Sequence, residues 1–274
     1  MMGVASDQLE CRTNFAMISD HSPRAALTQP LLSRREVLAS ISLSIGLSGA
    51  VATAAAATSS APPEPTWQNA HGLVVNPRST WAPAKAAPVE NLAVEPSEKV
   101  IVVHHSETSN TYAIEGVPKI LRSFRSYHTS GRKGWPDVAY NFFVDRFGGV
   151  WEGRTGSLAG PVVGSATGGN QGYSQLVCFV GDHHKVPPSD EALVSLTRLL
   201  AALGDHYVLP TEAEVTSEFV SLGSTRWPAG TTVRTRTIEG HRAMSLTTCP
   251  GDAAFRELPN VRAEVHRIRA ARKT

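Results

Sequence analysis

The stretch Lys99-Val100-Ile101-Val102-Val103-His104-His105, KVIVVHH, sets four consecutive β-branched apolar residues ahead of two histidines. An unbroken apolar run of this length reads as a short strand buried on both faces, and it delivers two imidazoles to its C-terminal end. Side chains alternate across a strand, so His104 and His105 point to opposite faces and only one of them can reach a given site.

Downstream, Ile114, Val117, Ile120, Leu121, Phe124 and Tyr127 recur at helical spacing, which predicts an amphipathic helix over 114–128 with Pro118 in its first turn. Residues 138–144 read as a strand, 146–149 as a hairpin turn into a short strand at 150–152, and 156–172 as a glycine-rich loop. A further apolar strand follows at 176–181. Ser189 caps a helix that carries Asp190 and Glu191 in its first turn and Leu193, Leu196, Leu199, Leu200 and Leu203 on one face. Residues 215–233 carry turn signals at Leu222-Gly223-Ser224 and Pro228-Ala229-Gly230 and read as a small hairpin insertion. Ile238 leads into a polar loop, and 253–272 form a last basic helix that Pro259 interrupts or restarts. Strands alternating with helices give an α/β class with a central sheet flanked by helices.

The N-terminal region is of another kind. Ser33-Arg34-Arg35-Glu36-Val37-Leu38 opens a run of Ala, Ser, Leu, Ile and Gly that ends in Ala54-Ala55-Ala56-Ala57. A charged start, a moderately apolar middle and a small-residue end are the pattern of an export signal, and the paired arginines resemble a twin-arginine leader. The Ser and Gly within the run favour a cleaved signal over a retained membrane anchor. Residues 1–57 are therefore expected to be a signal peptide, 58–77 a linker and extended arm lying on the surface, and 78–274 one domain. The mature form is expected to have no membrane span, to be secreted or associated with the cell wall, and to be a monomer. Net charge is +2, from 26 basic and 24 acidic residues. No concentrated basic patch accompanies it, which argues against a nucleic-acid partner.

Removal of the leader takes Cys11 with it and leaves Cys178 and Cys249. The pair could form a disulfide, as in many exported proteins. Alternatively, Cys178 is a buried core thiol within its apolar strand, and Cys249 is left for a metal. The loop Gly240-His241-Arg242-Ala243-Met244-Ser245-Leu246-Thr247-Thr248-Cys249-Pro250-Gly251 places His241 and Cys249 eight positions apart, close enough for a bent loop to turn both on one ion. A catalytic zinc site takes three protein ligands and keeps one position open, and the strand ending in His104-His105 is the best source of the third.

These segments together resemble a known family. His104-His105-Ser106 after an apolar strand, Trp135-Pro136-Asp137-Val138-Ala139-Tyr140-Asn141-Phe142, Gly149-Val150-Trp151-Glu152-Gly153-Arg154, and Gly240-His241-Arg242 with Thr247-Thr248-Cys249-Pro250-Gly251 look like the peptidoglycan recognition proteins. That family is shared with the bacteriophage lysozyme-type N-acetylmuramoyl-L-alanine amidases. Arg78-Ser79-Thr80-Trp81 resembles the recognition proteins' entry segment, and residues 219–230 resemble the version in secreted bacterial members. The likeness runs over residues 78–262.

The resemblance implies a single domain with a central mixed β-sheet flanked by helices. It implies Zn2+ as cofactor, with His104 rather than His105, His241 and Cys249 as its ligands. It implies catalytic roles for Tyr140 and Thr247 and substrate contacts for Asn170 and Arg154, with peptidoglycan or a muropeptide as the partner. The implied reaction is hydrolysis of the amide joining N-acetylmuramic acid to L-alanine. Two neutral imidazoles and one thiolate suit it, because a zinc so held lowers the pKa of a bound water toward about 7. Thr247 then serves as hydrogen-bond donor to the developing oxyanion and Tyr140 as holder of the attacking water. The sequence departs from many relatives at Gly164-Ser165-Ala166-Thr167-Gly168-Gly169-Asn170, where they carry a Gly-x-His segment whose histidine faces the substrate groove. Two rival readings stand beside the amidase: a muropeptide-binding module of the same fold that does not cleave, and a zinc peptidase cutting within the stem peptide.

Overall fold

The structure is a computed structural model that describes residues 67–82, 98–131 and 133–272. The expected leader, and residues 58–66 of the linker, lie outside the described residues. Among those described, a six-stranded mixed sheet runs in the order β1-β4-β3-β5-β2-β8. Its strands are β1 (Val75–Asn76), β2 (Val100–His105), β3 (Phe142–Val144), β4 (Val150–Glu152), β5 (Ser174–Phe179) and β8 (Ile238–Gly240). Every neighbouring pair is parallel except β3 with β4. A separate antiparallel hairpin pairs β6 (Thr216–Val220) with β7 (Thr232–Arg236). The helices are α1 (Val117–Thr129), α2 (Asp190–His206) and α3 (Asp252–Ala271). This is the α/β sheet flanked by helices that the sequence predicts. No helix among the described residues is long and apolar enough to cross a membrane.

Strand β2 lies between β5 and β8 and is buried along its whole length, so both of its faces need cover. Ile101 and Val103 pack with Val177 and Phe179 against the apolar sides of α2 and α3. Val100, Val102 and Leu176 face the other way, where Phe219 and Val233 of the hairpin and Met244 cover them. On that second face, Cys178, Val180 and Phe143 are covered by Val117 and Leu121 of α1 and by the fully buried Trp81. One side of the sheet is thus closed by two helices. The other is shared by α1 and the hairpin, and His104 emerges on that shared side.

Three expectations change. The surface arm over 58–77 is part of the fold where it is described: Trp67–Gly72 forms 3-10 turns, Ala70 and Leu73 enter the core, and β1 pairs in parallel with β4. The segment has no periodicity because its contacts are single anchors. Gln68 Nε2 donates to the Leu158 carbonyl at 3.1 Å and Asn76 Nδ2 to the Val150 carbonyl at 3.0 Å. The strand expected over 138–144 is regular only in β3. Over 138–139 the backbone is bound by side chains and loops: His128 Nδ1 accepts from the Ala139 N–H, Arg154 donates to the Val138 carbonyl, and Ser165 N–H donates to that of Ala139. Lastly, α3 runs unbroken through Pro259. An internal proline costs roughly 3 kcal/mol, and burial of Leu258, Val261 and Val265 against the core offsets that loss.

Asn141 joins these pieces. Its side chain is fully buried; its Nδ2 donates to the Val162 carbonyl at 2.7 Å and its Oδ1 accepts from the Leu176 N–H at 2.9 Å. Asn141→Ala strands both partners without water. It should lower unfolding free energy by about 2–4 kcal/mol in a denaturant titration, and Asn141→Asp, which cannot donate to Val162, should be no better.

Candidate metal centre

Strand pairing brings two histidines together. β2 and β8 run parallel with Val103 opposite Gly240, so the next residues, His104 and His241, leave neighbouring strand ends side by side. Their rings lie 4.5 Å apart between centroids. After His241 the chain makes a 3-10 turn and a loop that returns on itself, with Arg242 N–H donating to the Cys249 carbonyl at 2.9 Å. Gly251 holds the end of this loop in a left-handed conformation (φ 88°), packed so closely on the His183 backbone that no Cβ fits there. Cys249 Sγ is thereby set 3.6 Å from His104 Nδ1.

His104, His241 and Cys249 offer three ligand atoms that all lie within 4.8 Å of one another, and all three residues are buried. Tetrahedral zinc with one nitrogen and one sulfur ligand separates the two by roughly 3.6 Å, from bond lengths of about 2.1 and 2.3 Å. The donor set and its spacing fit that ion. Burial, reinforced by the neighbouring histidines, holds the His104 imidazole well below its ordinary pKa and brings His241 down to about 4. Both rings are therefore neutral near pH 7, with lone pairs available to a cation.

His105 is on the opposite face, as alternation requires. Its Nδ1 accepts the His183 N–H at 3.1 Å, which leaves its proton on Nε2, 3.4 Å from Glu107 Oε1. His184 Nε2 approaches the same oxygen at 3.3 Å. The hydrogen bond from His105, with the nearby His184, brings the Glu107 carboxyl down to about 2. His105, Asp182 and His184 also cluster. However, His105 Nδ1 is taken by the His183 N–H, and with the proton on Nε2 the ring keeps no lone pair for an ion.

Tyr140 is half-buried at the edge of the triad, its ring 5.0 Å from that of His104. Thr247 is also half-buried; its Oγ1 accepts the Cys249 N–H at 3.2 Å. Thr247 further lines a cavity of about 350 Å3 together with Arg226, Arg242, Thr248 and Phe255. Asn170 and Arg154 are placed differently. Asn170 is fully buried and its Oδ1 accepts from Ser174 Oγ at 2.9 Å. Arg154 is 4% exposed, and its guanidinium donates to the Val138 carbonyl and to Ser165 Oγ. Cys178 and Cys249 are not joined in a disulfide. Cys178 lies in the core beneath Tyr140, and burial pushes its thiol pKa well up.

The sequence profile described as N-acetylmuramoyl-L-alanine amidase matches residues 95–252, which contain the whole triad. The chain belongs to this family. It is 32% identical over 125 residues to peptidoglycan-recognition protein LE of Drosophila melanogaster, a match covering 46% of this chain and 34% of that protein. The human N-acetylmuramoyl-L-alanine amidase is 30% identical over 135 residues, covering 49% of this chain and 19% of that one. The chain thus spans about a third or less of the length of these two relatives. Among solved structures, bumblebee PGRP-SA superposes with a TM-score of 0.51 at 22% identity, covering 68% of this chain and 93% of that one, which shows a common fold.

Within this family fold, one residue beside the site escaped the sequence reading. His128 lies in the last turn of α1, its ring packs 5.8 Å from Tyr140 and its Nδ1 holds the Ala139 N–H. Burial, with Lys133 and Arg154 nearby, lowers its pKa to about 4. A histidine depressed from 6.5 in this way contributes stability that is fully present above pH 6.5 and is lost as pH falls toward 4. The span corresponds to about 3 kcal/mol. Denaturant titrations across this window should show a shallower loss for His128→Gln than for the wild type.

Proposed function

We propose that this protein is a secreted, zinc-dependent N-acetylmuramoyl-L-alanine amidase that cleaves the amide between the lactyl group of N-acetylmuramic acid and L-alanine in peptidoglycan. The observation that carries the reading is the convergence of His104, His241 and Cys249 within 4.8 Å in a chain of the amidase family. Zinc held there would supply Lewis acidity, polarising the scissile carbonyl and acidifying a water.

The chain's own groups divide the remaining work. His104 and His241 stay neutral through burial and would hold the ion together with the Cys249 thiolate. Thr247 Oγ1 is occupied as an acceptor by the Cys249 N–H, which orients its hydroxyl proton outward as a donor to negative charge developing on the carbonyl oxygen. Tyr140 places a phenol at the rim of the triad, where it orients the attacking water and passes a proton. Export through the leader at residues 1–57, and peptidoglycan as partner, belong to the same proposal.

A muropeptide-binding module without cleavage is the alternative. It is favoured by the relatives named for recognition. Purified protein incubated with muropeptides decides between them. The expected result is one zinc per chain and release of peptide with a free L-alanine amino terminus, with Cys249→Ala losing both metal and cleavage. Binding of muropeptide without products overturns the amidase, and cuts inside the stem peptide identify a peptidase. Tyr140→Phe should keep its zinc while kcat falls roughly 100-fold, the usual scale for losing a proton-transfer group.

A further inference from the structure

The loop that carries His241 and Cys249 is laced to the β6–β7 hairpin by a run of hydrogen bonds from one four-residue segment. Ser224 Oγ donates to the Met244 carbonyl at 2.7 Å, and the Trp227 indole N–H donates to the Ala243 carbonyl at 2.8 Å. Arg226 reaches the Arg242 carbonyl at 3.2 Å, and Thr225 Oγ1 accepts the Leu246 N–H at 2.9 Å. The carbonyls of Arg242, Ala243 and Met244, the three residues that follow His241, thus all accept from this segment.

The segment is itself fixed. Ser224 Oγ also accepts from the N–H groups of Trp227 at 2.9 Å and Arg226 at 3.2 Å, so the one hydroxyl both closes the turn and grips the loop. Ser221 Oγ donates to the Trp227 carbonyl at 3.1 Å. Below, Phe219 and Val233 of the hairpin pack with Met244 on the sheet. A third strand of chain is bound in. Leu222 N–H donates to the Gly169 carbonyl at 2.8 Å, while a Cβ on Gly168 would stand 2.6 Å from Ser245 Oγ and 3.3 Å from His241 Nε2. Hairpin, glycine turn and ligand loop therefore interlock around His241.

We propose that the hairpin is a brace that presets the two loop ligands for the metal, with Ser224 and Trp227 as its positioning residues. The inference rests on the zinc reading of the site. An ion bound by one strand residue and two loop residues gains affinity when the loop is held before it arrives, because ordering the loop then costs nothing on binding. Groups behind the ligands typically change metal affinity by 10–100-fold. Neither residue is needed to touch substrate for this effect.

The test is zinc affinity of the purified full chain, by competition with a chelating dye, for wild type, Ser224→Ala, Trp227→Phe and their double variant. Ser217→Ala serves as control, since it removes a hydrogen bond to Thr237 at the base of the same hairpin. Metal-free thermal melts are run alongside. The double variant should bind zinc 10–100-fold more weakly while its metal-free melting matches that of Ser217→Ala. Ser224→Thr, which keeps the hydroxyl, should restore affinity, and cleavage lost at limiting zinc should return at saturating zinc. Wild-type affinity in the double variant overturns the brace and leaves the metal site standing. Loss of zinc together with collapse of the metal-free fold makes these contacts general stability and also overturns it. A wild type that takes no zinc overturns the metal reading and the brace with it.

Discussion

The parallel pairing of β2 with β8 is the constraint on which the site depends. It fixes Val103 opposite Gly240 and so delivers His104 and His241 to the same end of the sheet, in adjacent positions. Parallel strands share a direction, which gathers their C-terminal ends, and the loops leaving them, on one edge. An antiparallel neighbour would have sent the second histidine to the far end. The pairing holds because β2 is buried on both faces, so a slip of one residue would turn Val100, Val102 and His104 away from their cover.

That same alternation separates the two adjacent histidines chemically. His104 faces the side shared by α1 and the hairpin, with a thiol, an imidazole and a phenol around it. His105 faces the side of the α2–α3 core and is tied to a backbone N–H and a carboxylate. Identical side chains thereby acquire different surroundings and different uses from one step along a strand.

The irregular segments around the triad are where the chain departs from regular pairing, and they surround the phenol and the loop ligands. Residues 138–139 exchange ladder bonds for contacts with His128, Arg154 and Ser165, which sets the backbone that leads into Tyr140. The loop 241–249, regular only in its opening 3-10 turn, is held by side chains of the hairpin. Loops supported in this way combine the reach that a site needs with the order that a rigid scaffold provides.

Much of this was legible in the sequence where periodicity or residue type carries the information. The apolar run of β2, the leucine face and Ser189 cap of α2 and the hairpin with its turn residues between the strands follow from local rules. The motifs shared with a known family named His104, His241 and Cys249, which the fold brings together. Local rules could not supply the two-residue strand β1, the continuity of α3 through Pro259 or the loss of regular strand at 138–141, because in each case distant contacts outweigh local preference. Nor could they place Arg154 and Asn170 inside the protein, set the neutral state of His128, or reveal that Ser224 and Trp227 grip the ligand loop. Burial and hydrogen-bond partners far apart in the chain are properties of the packed structure, and the sequence by itself determined only which residues were available to make them.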